Sequence, residues 1–323
     1  GAEAVAYEQE NQRKVVTLDD GATANFLRNA EAKKSPLPYL TTADGEKALR
    51  TGDHLSFSNP VVLSYNFDKW GLQPTSQITG DSASAELPIS WEDTRAAEIG
   101  GPDAVGGTHS IASFNVLNYF TDLGKDEDGC RVYEDMDGNP VTADYCQVRG
   151  AYTEEAFQDQ QAKIVSAINT LDVSVLGLEE IENTAQFGGD RDESLNTLVT
   201  ALNAAGGNWK AVPSPEVVPE NEDVIRTAFI YHKDVVKPVG ESRIFQDPRF
   251  SGTAREPLAQ EFQPLNSDDE SFVAVANHFK SKGSVAKGDA DSGDGQGNNP
   301  NVRNAQAQAV LDALHKQEDW KDK

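Results

Sequence analysis

Apolar residues fall into two rhythms along this chain. Between residues 108 and 283, short apolar runs bounded by turn residues read as strands, while Phe157, Ile164, Ile168 and Leu171 recur on one helical face. Thr153 stands where an N-cap belongs, and Glu154 and Glu155 suit the N-terminal dipole, so a helix is predicted over 153–171. Further helices are predicted over 193–204 and 302–314. Strands are predicted over 209–212, 223–231 and 235–245, the last two paired in a second sheet. Three strands share one design, an apolar run that closes in polar chemistry. Residues 110–118 carry Asn115, residues 173–183 end in Glu179, Glu180, Glu182 and Asn183, and residues 273–283 run into Asn277, His278 and Lys280. The first of these, with Ile111, Phe114, Val116 and Leu117, reads as buried on both faces.

Residues 1–80 have a different character. Residues 1–13 are polar, 14–18 read as a strand closed by the turn signal Asp19-Asp20-Gly21, and 55–63 form a long β-prone stretch. Tyr65, Phe67 and Trp70 follow; they read either as a stacking surface for single-stranded bases or as core and edge residues of a small barrel. Residues 81–107 are rich in Ser, Gly, Asp and Pro and read as a connection that Trp91 pins down, with the larger domain at 108–323.

Composition changes this picture in three places. A hydrophobic share of 37% and a mean hydropathy of -0.56 suit a globular protein, and no apolar run reaches membrane-spanning length. The formal net charge of -25 runs against nonspecific nucleic-acid binding, which ordinarily rests on a basic surface, yet a cleft lined by Arg, Lys and a metal is locally cationic whatever the total. The chain opens Gly1-Ala2 and its one methionine is Met136, which reads as a processed or engineered fragment. Cys130 and Cys146 are the only cysteines, and a bridge between them is the economical reading for a secreted protein. Between them Asp135, Asp137 and Asn139 are spaced as a Ca2+ loop begins, but no bidentate Glu follows at the required offset; a Ca2+ site and a solvated acidic turn both remain open.

Six ordered segments carry a resemblance over residues 108–315: SFNVLNYF, CRVY with RGAYTEEAFQDQQAKIV, LEEIEN, IRTAFIY, AREPLAQEF and NHFKSKG. Together they resemble the endonuclease/exonuclease/phosphatase superfamily, the deoxyribonuclease-I-like fold, and within it the secreted bacterial nucleases. The resemblance implies an α+β fold, a four-layer α/β sandwich preceded by a small partial OB-like β module at 1–80, with the chain trimmed at both ends. The first half of the barrel is missing, as are the family's later Asp-x-Asn and Asp-His motifs; either a second fragment carries them or this chain is an incomplete enzyme. It implies that Glu180 is a metal ligand with Asn115 beside it, for Mg2+ or Mn2+, and that His278 serves in general acid/base chemistry. Arg255, Lys280 and Asn277 would contact phosphate. Arg226 either reaches the phosphate or forms a surface salt bridge. Glu179 stands where relatives often have Gln and reads as a neighbour of the ligand.

The expected activity is therefore that of a secreted, metal-dependent nuclease at the cell surface or outside it, hydrolysing the phosphodiester bonds of extracellular DNA, with RNA as the alternative substrate. Another phosphoesterase of the same fold, a phosphatase or phospholipase, and a noncatalytic nucleic-acid-binding or surface protein are the alternatives.

Overall fold

The computed structural model describes residues 1–323 apart from 27, 41, 46, 93, 95–104, 266–270 and 322. The chain divides into two compact units, Gly1–Gly100 with Met136–Asn139, and Gly101–Asp135 with Pro140–Lys323.

The first unit opens with helix α1 (Ala2–Lys14), where the sequence had predicted no element; none of its residues is buried. The strand expected at 14–18 shrinks to β1 (Thr17–Leu18). The β-prone stretch breaks into β2 (Leu55–Phe57) and β3 (Val61–Asn66), followed by β4 (Lys69–Pro74) and β5 (Ile89–Trp91). The described residues close no barrel here. They form a three-stranded sheet in the order β1-β4-β3 and a separate β2-β5 ribbon. Phe67 and Asp68 both have positive φ, the geometry that a two-residue hairpin turn between β3 and β4 demands. Tyr65, Phe67 and Trp70 are all exposed, so they are not core residues; Tyr65 lies on the edge strand β3, ring to ring with Trp70 at 5.0 Å. The buried cluster is instead Ile78, Leu87, Ile89 and Trp91, so the stretch expected to be a bare connection supplies most of this unit's core.

The second unit contains β6 (Ile111–Tyr119), the hairpin β7 (Arg131–Glu134) and β8 (Pro140–Asp144), helix α2 (Glu154–Leu171), β9 (Val175–Glu182), helix α3 (Glu193–Ala204), β10 (Trp209–Ala211), β11 (Ile225–His232), β12 (Val236–Ile244), β13 (Arg255–Pro264), β14 (Phe272–His278) and helix α4 (Pro300–Leu314). Its main strands make a sheet in the order β10-β11-β9-β6 and another in the order β12-β13-β14. The strands at 225–232 and 236–244 are thus not paired with each other: β11 lies between β10 and β9, and β12 pairs with β13.

Period-two alternation makes the layers. Leu176, Leu178 and Ile181 of β9 turn one way and pack with Ile164, Ile168, Leu195 and Leu198 of the helices α2 and α3. Val175 on the same strand turns the other way and meets Phe229, Phe262, Ala274 and Ala276 between the two sheets. The outer side of the second sheet, with Val273 and Val275, packs against α4 and Trp320. Helix, sheet, sheet and helix therefore stack as four layers, an α/β arrangement with the sheets at its centre. Doubly buried strands are the interior β9 and β11, whereas β6 is an edge strand and leaves Ile111 and Leu117 exposed, contrary to the expectation from its apolar run. Helix α2 begins where Thr153 Oγ1 accepts from the Ala156 N–H at 3.3 Å. No described helix is long and apolar enough to cross a membrane.

Candidate active site

Two irregularities in the first sheet shape the site. Strand β9 is in regular register with β11 up to Leu178, slips, and resumes at Ile181. Leu178 and Ile181 both face the helices, so the bulge leaves Glu179 and Glu180 together on the other side. Glu180 itself has φ +66°, a left-handed conformation that a side-chain-bearing residue adopts only under constraint. On the neighbouring edge strand the pairing with β9 slips between Asn115 and Tyr119, where Leu117 and Asn118 are also left-handed. The two bulges lock together, because the Asn118 N–H donates to Glu180 Oε2 at 3.1 Å.

Opposite Glu180 stands the end of β14. His278 Nε2 lies 3.6 Å from Glu180 Oε1, and both side chains are mostly buried. Burial, and next the nearby Arg255 cation, push the His278 pKa down, so the imidazole is neutral at neutral pH. Its Nδ1 is buried without a hydrogen-bond partner among the described residues. Arg255 is the cross-strand partner of His278. Its Nη2 donates to Asp223 Oδ2 at 2.7 Å, and burial lowers its pKa. Asp223 uses its other oxygen for Arg149, at 2.8 Å. Glu180, His278, Arg255, Asp223 and Arg149 thus form one continuous chain of charged and titratable groups.

Glu179 and Glu182 flank Glu180 in sequence but do other work. Glu179 is buried and accepts from Ser113 Oγ at 2.8 Å, and burial raises its pKa. Glu182 is fully buried; it accepts from the Thr121 N–H at 2.7 Å, from Thr121 Oγ1 at 2.9 Å and from Ser194 Oγ, tying the segment after β6 to the start of α3. Burial raises the Glu182 pKa to about 7.

Of the other residues singled out in the sequence, Asn115 is exposed beside Glu179, and its Oδ1 accepts from the Leu117 N–H at 2.8 Å. Asn277 is one residue from His278 and so falls with Val273 and Val275 on the opposite side of β14, where its Nδ2 donates to the Val275 carbonyl. Lys280 donates to Ser284 Oγ at 2.9 Å. Arg226 forms no surface salt bridge: it is buried, and its Nη2 donates to Asp192 Oδ1 and to the Arg191 carbonyl, both at 2.9 Å. These bonds anchor α3 to β11, and burial lowers the guanidinium pKa to about 10. The two cysteines are bridged, with Cα atoms 4.9 Å apart at the two ends of the β7–β8 hairpin. The Asp135–Asn139 stretch is the turn of that hairpin, and among the described residues no three His, Cys, Asp or Glu side chains converge on a metal position. Arg149 and Asp223 went unnoticed in the sequence. Their signals were an Arg-Gly step just before a helix cap and a carboxylate just before a buried strand.

Glu180 and Asn115 offer a carboxylate and an amide oxygen. Such a set suits Mg2+ or Mn2+, hard ions held through one or two carboxylates with water and phosphate completing the shell.

No known protein-family model matches the chain, and no curated protein matches it. Among solved structures, it has slight similarity to ANGEL2, a 2',3'-cyclic phosphatase. One crystal structure, in complex with adenosine-2',3'-vanadate, matches with 15% identity over 35% of this chain and 30% of that one, at a TM-score of 0.24. A second ANGEL2 crystal structure matches with 13% identity over 50% of this chain and 39% of that one, at a TM-score of 0.28. The chain therefore spans well under half the length of these structures.

Proposed function

We propose that this chain is a metal-dependent phosphodiesterase of the endonuclease/exonuclease/phosphatase superfamily, with the deoxyribonuclease-I-like fold, and that it acts as a secreted nuclease on extracellular DNA. The observation that carries the reading is the meeting of Glu180, from the bulge of β9, with His278 and its cross-strand partner Arg255, from the other sheet. Phosphodiester hydrolysis needs a hard-metal ligand, a proton acceptor and a cation within one cleft, and those three side chains supply them.

His278, kept neutral by burial and by Arg255, takes a proton from the attacking water, and the Glu180 carboxylate stabilises the imidazolium that results. Arg255, whose Nη2 is held by Asp223, would offer its further guanidinium N–H donors to a phosphate oxygen. Asn115 and Glu180 would hold the divalent ion, which when bound polarises the phosphoryl group.

The test is cleavage of a plasmid and of a labelled oligonucleotide in Mg2+ or Mn2+, with and without EDTA. Wild-type cleavage that EDTA abolishes and that His278→Ala and Glu180→Gln each reduce by at least about a hundredfold is expected. Full activity in either variant would remove that residue's assigned role. Turnover of a phosphomonoester or a phospholipid without cleavage of nucleic acid would replace the nuclease reading with another phosphoesterase.

A further inference from the structure

Resting on the phosphodiesterase reading, we propose that Arg149 contacts a phosphate adjacent to the scissile one, so that the site selects a chain of phosphodiesters over an isolated ester. Asp223 holds two guanidinium groups at once, Arg149 through Oδ1 at 2.8 Å and Arg255 through Oδ2 at 2.7 Å. The carboxylate neutralises only one of them, and the other cation is balanced by the Glu180 carboxylate beside His278. The two cations also differ in depth: the Arg255 side chain is 20% exposed and the Arg149 side chain 40%. Arg255 is thus buried to about the same extent as His278, and Arg149 is the more open to solvent. Each guanidinium carries five N–H donors, so one bond to Asp223 leaves donors to spare on both.

The backbone fixes Arg149 in this place. A Cβ on the following residue, Gly150, would lie 2.9 Å from the Asn118 carbonyl oxygen and 2.6 Å from Phe120 Cβ. Only glycine lets this segment approach the end of β6 so closely, next to the left-handed residue whose N–H holds Glu180. Arg149 is thereby seated from two sides, by its ion pair with Asp223 and by its backbone against the Glu180 bulge. A protein with a net charge of -25 repels a polyanion at long range, so its hold on one depends on fixed local cations of this kind.

The experiment compares Arg149→Gln, Arg149→Lys and Arg255→Gln with wild type, each first shown to melt cooperatively. Cleavage is measured on a twelve-nucleotide single-stranded DNA and on a dinucleotide with one phosphodiester. Binding of the fluorescein-labelled twelve-mer is measured in EDTA across a salt series. Arg149→Gln should lose about tenfold more kcat/KM on the twelve-mer than on the dinucleotide, whereas Arg255→Gln should lose similarly on both. The slope of log K against log salt should fall by about 0.7 in Arg149→Gln and be retained in Arg149→Lys, which keeps the charge. Equal losses on the two substrates, or an unchanged salt slope, would overturn the role of Arg149 while leaving the phosphodiesterase reading intact. Wild-type protein that cleaves neither substrate in Mg2+ would overturn both.

Discussion

The left-handed backbone at Glu180 allows its strain to be measured apart from its chemistry. Glu180→Ala and Glu180→Gly both remove the carboxylate, so both lose the bond from the Asn118 N–H and the contact with His278. They differ only at the backbone. A side-chain-bearing residue held in the left-handed region costs about 1–2 kcal/mol, which glycine does not incur. Glycine in turn loses about 0.5–1 kcal/mol more conformational entropy on folding than alanine. With φ at +66°, the balance favours glycine by about 0.5–1 kcal/mol, the reverse of the order at an ordinary strand position. For a folding unit of this size the difference amounts to about 1–4 °C in Tm. Urea and thermal melts of the two variants, followed by near-ultraviolet circular dichroism, give the comparison, and both should be equally inactive on DNA. An alanine variant as stable as the glycine variant, or more so, would refute the claim that the strand holds Glu180 in a strained conformation.

Two further predictions concern buried charge. Asp192→Asn removes the carboxylate from the buried Arg226 guanidinium and should cost about 3–5 kcal/mol in a urea melt; Arg226→Met should cost less, because Asp192 keeps its bonds from the Ser214 N–H and Oγ. Burial raises the Glu182 pKa from 4.5 to about 7, so its stabilising contribution is fully present below about pH 4.5 and is lost as the pH rises through about 7. Stability should fall between those limits by up to about 3 kcal/mol, and Glu182→Gln should flatten that fall when melts at pH 5 and pH 8 are compared.

Strand-tip chemistry was the part of the site most legible in the sequence. An apolar run that ends in Glu180, or in His278, places those groups at the end of a strand whatever the strand pairs with. Pairing was harder to read. Nothing in the residues 223–245 distinguishes two strands of one hairpin from the last strand of one sheet followed by the first of the next, since both readings need the same apolar runs and the same short turn. Burial on both faces was assigned to β6, although a run such as Ile111–Leu117 carries no mark of being at an edge; its neighbours decide that. Arg226 and Arg255 are each an arginine in an apolar strand, and only tertiary packing gives one to Asp192 and the other to Asp223 beside His278. The bulge at Glu180 was also hidden, because it is forced by the slip in register on both sides of β9 rather than by a local glycine.

The four tryptophans give each unit its own optical reporters. Trp70 and Trp91 belong to the first unit, Trp209 and Trp320 to the second, and of the four only Trp70 is open to solvent. A collisional quencher such as iodide will therefore extinguish mainly the emission of Trp70. What survives quenching comes from Trp91, Trp209 and Trp320, with the last lying under the Arg243 guanidinium at 4.0 Å. Accessible and shielded emission can thus be followed separately in a single cuvette, with Trp70 as an intrinsic gauge of whether anything settles on the aromatic hairpin.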